Sequence, residues 1–229
     1  MGRTVEFPSN GSQGTGYLAE AEGGGPAVVV IQEWWGLVPH IEDVCDRYAT
    51  AGFTALAPDL YRGESTTEPD EAGKLMMSLN IERAAKDLGG AVDFLLGLDS
   101  VASSQVAVTG FCMGGKLAYF AAAARPDEVA AIAPFYGVVP WPPEGPDYTA
   151  MRCRVQGHYA EDDDFAPPDA VRELEGQLRD QGRDVEMFVY DGTQHAFFND
   201  TRPDVYDAAA SSAAWDRTLA FFRESLTSV

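Results

Sequence analysis

The sequence predicts an α/β fold in which a mostly parallel central sheet is flanked by helices on both faces. Three observations point to it. Short apolar runs of strand length alternate with longer amphipathic stretches, which is the pattern of βαβ units. The apolar runs are rich in Val, Ile and Ala with little polar alternation, as in strands covered on both faces. The chain has 229 residues, 45% of them hydrophobic and 11% aromatic, enough for one large core without a linker rich in Pro, Gly or Ser to divide it. One domain spanning residues 1–229 is therefore expected.

In chain order, the expected strands are Ala27 to Gln32, Thr54 to Ala57, Gln105 to Thr109, Ala130 to Phe135, Arg152 to Gly157 and Val185 to Tyr190. The expected helices are Ile41 to Ala51, Ile81 to Leu98, Gly114 to Ala124, Pro168 to Gln181 and Asp204 to Ser225. In the second of these, Ala84, Ala85, Leu88, Ala91, Val92, Leu95 and Leu96 recur at three- and four-residue spacing, so one stripe faces the sheet. Trp215, Leu219 and Phe222 form the same stripe in the last. The piece from Val138 to Tyr148, with prolines at 140, 142, 143 and 146, suits neither helix nor central strand. It reads as a surface loop able to cover a pocket.

Charge excludes some functions. Lys plus Arg number 16 against 36 Asp plus Glu, a formal net charge of -20. A phosphate backbone needs clustered cations, and an anionic membrane face does too, so neither nucleic acid nor membrane is an expected partner. The acidity reads as a solvated surface. No stretch approaches the roughly 18 apolar residues of a membrane span, and the first residues lack a signal-peptide core; a cytoplasmic location is expected. The three cysteines, Cys45, Cys112 and Cys153, cannot all pair and match no zinc spacing, so reduced thiols are expected. The sequons at Asn10 and Asn199 then carry no meaning.

The sharpest motif is Gly110-Phe111-Cys112-Met113-Gly114-Gly115, between the apolar QVAVT and the Ala-rich KLAYFAAAA. It is a Gly-x-nucleophile-x-Gly elbow at a strand-to-helix turn. Glycines are needed there because side chains two residues from the nucleophile would collide with neighbouring backbone. The turn holds the sulfur of Cys112 clear of the sheet, at a helix N-terminus whose dipole favours a thiolate. Cys45 and Cys153 have no such context and read as buried packing residues.

An elbow nucleophile is followed in the chain by an acid after a later strand and a histidine after the last one. The strand RCRVQG runs into Glu161, Asp162, Asp163 and Asp164, and VEMFVY runs into His195. Spacing alone does not choose among the four acids. A calcium loop is not indicated, because the alternating oxygen ligands and Gly of an EF-hand are missing. His40 and His158 read as structural imidazoles. Met113, next after the nucleophile, is placed to give one oxyanion-hole N–H.

These motifs converge on a family. The run Ile31-Gln32-Glu33-Trp34-Trp35-Gly36, then Ala57-Pro58-Asp59-Leu60-Tyr61, the elbow, Asp163-x-Phe165-x-Pro167 and Gly192-x-x-His195-x-Phe197 resemble the dienelactone hydrolases, or carboxymethylenebutenolidases, of α/β-hydrolase fold. The resemblance extends from about residue 15 to the C-terminus and is specific in combination, although each motif alone is weak. It implies Cys112 as nucleophile, His195 as base, Asp163 as acid, Glu33 against the thiol, and the backbone N–H groups of Trp34 and Met113 as the oxyanion hole. A carboxylate beside a thiol opposes ionisation, while the helix dipole and His195 favour it.

The likeness departs at one place. Members acting on dienelactone hold its carboxylate with two arginines, one shortly after the Asp-Leu-Tyr run and one four residues after the histidine. Arg62 stands near the first position, but Asn199 occupies the second and the next arginine is Arg202.

The resulting expectation is a cofactor-free and metal-free hydrolase of a small ester or lactone, its pocket walled by Trp34, Trp35, Tyr61, Tyr136 and Phe197, with Arg62 or Arg202 able to meet an acidic substrate. Oligomeric state is left unassigned. The rivals are a non-catalytic ligand receptor on the same fold and a thiol redox sensor, which needs a resolving thiol near Cys112.

Overall fold

The fold opens on a two-residue turn. In the computed structural model, which describes residues 1–138, 140–142 and 145–227, with Thr227 by its backbone alone, Asn10 and Gly11 have φ of 49° and 72°. Both being left-handed, they form the tight turn that suits the twist of a hairpin. Strand β1 (Arg3–Ser9) thus pairs antiparallel with β2 (Ser12–Ala19), Ser9 facing Ser12. Val5, Phe7 and Ser9 alternate inward along β1. This hairpin was not among the expected strands: β2 begins Ser-Gln-Gly-Thr-Gly, too polar and Gly-rich to read as apolar, although Asn-Gly is a strong hairpin signal.

The other strands are β3 (Gly25–Ile31), β4 (Thr54–Pro58), β5 (Val101–Phe111), β6 (Val129–Phe135), β7 (Arg154–Asp162) and β8 (Val185–Gln194). All eight join one sheet in the order β1-β2-β4-β3-β5-β6-β7-β8. β3 to β8 run parallel, and β2 meets β4 antiparallel. The expected central strands are all present, extended by a few residues. The Arg152 start moves to Arg154, and β5 and β7 run on toward the site.

Helices α1 (Pro39–Thr50), α2 (Pro69–Ser78), α3 (Ile81–Leu96), α4 (Met113–Ala124), α5 (Pro168–Asp180) and α6 (Ala208–Thr227) complete the chain. α2 was not expected; it buries only Ala72 fully, so its apolar stripe is faint in the sequence. α6 starts at Ala208 rather than Asp204 because residues 201–206 turn beside the site. Asn80 caps α3, its side chain accepting from the Arg83 N–H at 2.8 Å. One core, including Leu88, Val92 and Leu117, lies under α3 and α4. The other, including Ile41, Tyr48 and Phe222, lies under α1 and α6.

Packing around the elbow is tight. A Cβ on Gly110 would stand 2.2 Å from the Gly114 carbonyl oxygen, one on Gly114 2.3 Å from that of Ile31, and one on Gly115 2.6 Å from that of Phe135. The glycines are therefore imposed by backbone contact between β3, β5, β6 and α4. Of the proline-rich loop, Val139, Pro143 and Glu144 lie outside the described residues. Trp141 is buried against the core rather than lying on the surface.

Candidate active site

Four parallel strands deliver their residues to one end of the sheet, the carboxyl end, where ligands meet open α/β sheets. Glu33 follows β3, Cys112 directly follows β5, Asp163 follows β7 and His195 follows β8. Cys112 has φ 54° and ψ -115°, a conformation disfavoured for any residue with a side chain and held here by the glycine contacts around it. Met113 opens α4, so its N–H has no acceptor within the helix.

Asp163 is 4% exposed and His195 Nδ1 lies 2.7 Å from its Oδ2. The other oxygen, Oδ1, accepts from the backbone N–H groups of Phe165 and Ala166 at 2.8 and 2.9 Å. The carboxylate is thus held from both sides, whereas Asp162 and Asp164 are exposed. The His195 ring packs against Tyr136 at 4.9 Å and Phe165 at 5.2 Å. Its Nε2 is buried and free of Asp163, the nitrogen left to face Cys112. Burial disfavours the imidazolium, but Asp163 and then Cys112 outweigh it and push the pKa up to about 10.

Glu33 is almost fully buried, and its Oε2 accepts from Asn199 Nδ2 at 3.0 Å. The residue standing where the family resemblance would call for an arginine is thus the holder of Glu33. Nothing in the sequence assigned it that contact.

Cys112, His195 and Glu33 line a cavity of about 440 Å³, together with Trp34, Trp35, Pro69, Met76, Pro140, Trp141, Phe165 and Val205. Asp162, Asp164, Gln194, Ala196 and Arg202 complete it. Trp34 and Trp35 meet edge to face at 5.0 Å.

The expected wall needs correction. Tyr136 and Phe197 are fully buried beneath His195 and do not line the cavity. Tyr61 is also buried, its hydroxyl donating to the Met113 sulfur at 3.2 Å. Arg62 is drawn aside by Asp87, 3.5 Å away. The cavity walls missed by sequence reasoning are Trp141, Phe165, Met76, Pro69 and Pro140. Phe165, within the Asp-x-Phe-x-Pro motif, and Pro140 and Trp141, within the proline-rich loop read as able to cover a pocket, carried a signal.

His158 is fully buried in β7, between the hydroxyls of Tyr190 and Thr218, each at 2.9 Å. Burial, aided by Arg217, pushes its pKa down to about 3, which makes it a neutral packing residue. Cys45 and Cys153 are buried, and burial raises both thiols, Cys153 to about 12. Among the described residues no group of three or more His, Cys, Asp or Glu is placed to hold a metal ion, and no helix is long and apolar enough to cross a membrane.

A mostly parallel sheet with a tight Gly-x-Cys-x-Gly strand-to-helix turn after β5, and a hydrogen-bonded acid and histidine after β7 and β8, is the arrangement of the α/β-hydrolase fold. The family model described as the dienelactone hydrolase family matches residues 15–226. The chain belongs to that family and is a hydrolase. It is 40% identical to Protein usf of Aquifex pyrophilus over 99% of this chain and 100% of that one. It is 37% identical to a chain of Aquifex aeolicus provisionally named a carboxymethylenebutenolidase, again over 99% and 100%. A crystal structure from Klebsiella pneumoniae subsp. pneumoniae, provisionally named a dienelactone hydrolase, superposes with a TM-score of 0.87 at 27% identity, covering 98% of each chain.

Proposed function

We propose that this chain, acting as one domain over residues 1–229, hydrolyses a small carboxylic ester or lactone with Cys112 as the nucleophile. The observation that carries the reading is that Cys112, on a strained turn, shares one cavity wall with a His195 whose far nitrogen is held by Asp163 at 2.7 Å.

The cycle follows from that geometry. The thiolate of Cys112 adds to the carbonyl carbon, and the negative oxygen is met by the N–H groups of Met113 and Trp34. Donors already aimed at developing charge contribute about 3 to 4 kcal/mol each. The C–O bond breaks, the alkoxide takes a proton from His195, and a thioester remains on Cys112. Acylation removes the interaction of His195 with the Cys112 sulfur, one of the causes that raise its pKa. Its pKa falls, and the neutral imidazole takes a proton from water as the water attacks the thioester; the C–S bond breaks, the carboxylic acid leaves, and the Cys112 sulfur recovers its proton from Glu33. Glu33 is the proton acceptor for the resting thiol when substrate arrives. The cycle uses no cofactor.

The aromatic cavity suits a compact ring or aryl ester. A redox sensor is disfavoured because Cys45 and Cys153 are buried in cores on opposite faces of the sheet, so neither is available as a resolving thiol. A receptor has no use for a strained nucleophile turn. Turnover of a chromogenic short-chain ester tests the reading. Abolition by Cys112→Ala is expected, and near-normal turnover in that variant would sink it.

A further inference from the structure

His40 is the second residue of α1 and 3% exposed. Its ring packs edge-on to Phe111 at 6.2 Å, yet neither ring nitrogen has a hydrogen-bond partner. Nδ1 lies 3.4 Å from Oδ1 of Asp200, within ion-pair reach but not aligned as a hydrogen bond. Asp200 is fixed by Arg47, which Asp43 also holds. The residue before it, Asn199, holds Glu33. His40 and Glu33 therefore lie against adjacent residues of one turn.

Burial lowers the pKa of His40. Glu33 and then Asp200 raise it, Arg47 opposes them and Asp43 assists. At neutral pH the imidazole is uncharged, as its place at a helix N-terminus also favours. Glu33 is the charge that acts on it most.

A buried imidazole with two unmet nitrogens is unfavourable at rest, where an apolar side chain would pack against Phe111 without that penalty. Its polar atoms find use if a partner arrives in another state of the site. Asn199 cannot follow a moving Glu33, because its Oδ1 accepts from both the N–H and the hydroxyl of Thr201, at 3.1 and 2.6 Å.

We propose that His40 is a positioning residue for Glu33, receiving the carboxyl group when it leaves Asn199 to take the proton of Cys112. The S–H bond breaks, its electron pair stays on sulfur as the attacking thiolate, and the proton ends on Glu33. His40, with Nδ1–H directed at Asp200, accepts a hydrogen bond at Nε2 from the protonated carboxyl and holds it in place. This rests on the reading of Glu33 as the thiol's proton acceptor.

The test compares His40→Phe, His40→Gln, His40→Asn, Glu33→Gln and the double variant His40→Phe/Glu33→Gln in the intact protein. The readouts are kcat and KM on a chromogenic ester, iodoacetamide labelling of Cys112 and thermal unfolding. His40→Phe is expected to lower kcat about tenfold with KM within about twofold. Gln, whose amide reaches the place of Nε2, restores most of it, and Asn, which mimics Nδ1, does not. The double variant is no slower than Glu33→Gln, since His40 acts through Glu33. Multiplicative losses in the double variant, or equal rescue by Asn and Gln, overturn the proposal. Should His40→Phe fail to fold, Gln and Asn carry the comparison by themselves. If Glu33→Gln is impaired and the His40 variants are not, only the role of His40 falls. A Glu33→Gln protein that labels and hydrolyses like the native one brings down the reading of Glu33 first, and His40 with it.

Discussion

Asn199 donates from Nδ2 to Oε2 of Glu33 at 3.0 Å while Thr201 occupies its Oδ1, so the amide has only donors to offer and holds Glu33 as an acceptor. Releasing that hold is expected to let the carboxylate approach Cys112. Asn199→Ala should then slow iodoacetamide labelling of the free thiol about threefold, since a nearby like charge opposes the thiolate. Glu33→Gln, which keeps the shape and removes the charge, should speed labelling and slow hydrolysis. Rates followed by mass spectrometry at Cys112 check both, and unchanged labelling in both variants would mean that Glu33 does not restrain the thiol.

The three consecutive aspartates are expected to separate cleanly. Cys112→Ala and His195→Ala should each lower kcat by about 10³-fold or more, and Asp163→Asn by a comparable factor, because members of one catalytic unit fail together. Asp163 is buried with both oxygens engaged, whereas Asp162 and Asp164 are exposed at the cavity rim. Their Asn variants should stay within about threefold of native kcat. Steady-state kinetics with circular dichroism as a folding control decides it. A larger loss in Asp162→Asn or Asp164→Asn moves the acid to that neighbour.

His195 is held protonated up to about pH 10 by Asp163 and Cys112 acting against burial. Removing the thiol removes one of the two raising causes. In Cys112→Ala the imidazole should therefore lose its proton at a distinctly lower pH, and in Asp163→Asn also. Folding linkage has the matching sign: with the folded pKa raised, the imidazolium's stabilisation is complete below about pH 6.5 and is lost as pH rises through about 10. Nitrogen NMR titration of His195 measures the shift. An unaltered midpoint in Cys112→Ala would mean the two groups are uncoupled.

Arg202 lines the cavity and Arg62 does not. Arg202→Ala is expected to raise KM about tenfold for esters carrying a carboxylate and to leave neutral esters within about twofold. Arg62→Ala should leave the ratio of the two substrate classes unaltered, its half-exposed pair with Asp87 being worth at most about 1 kcal/mol of stability. Paired kinetics on an acidic and a neutral aryl ester distinguish them. Equal losses on both substrates for Arg202→Ala would assign it a folding role.

The central strands, the elbow and the chain order of Cys112, the acidic run and His195 were legible in the residues, because each rests on local chemistry. Apolar runs mark buried strands, and glycine is the residue that survives backbone contacts of 2.2 to 2.6 Å around Cys112. The dienelactone hydrolase family was legible from the same motifs. The β1–β2 hairpin was legible only in its Asn10-Gly11 turn, since β1 is the edge strand with alternate side chains facing water and β2 begins with polar residues and glycines.

What tertiary structure alone decided is which side chains face the cavity and which lie behind it. Tyr61, Tyr136 and Phe197 had the right chemistry for a wall but are buried beneath it, while Trp141, Met76 and Pro69 arrive from a loop and a helix far along the chain. The hold of Asn199 on Glu33 joins residues 166 positions apart. Neither residue type nor spacing encodes such a contact, because it depends on how the loops after β3 and β8 converge over the carboxyl end of the sheet. Burial and partnership are properties of that convergence, and they give Asp163 rather than its neighbours the contact with His195.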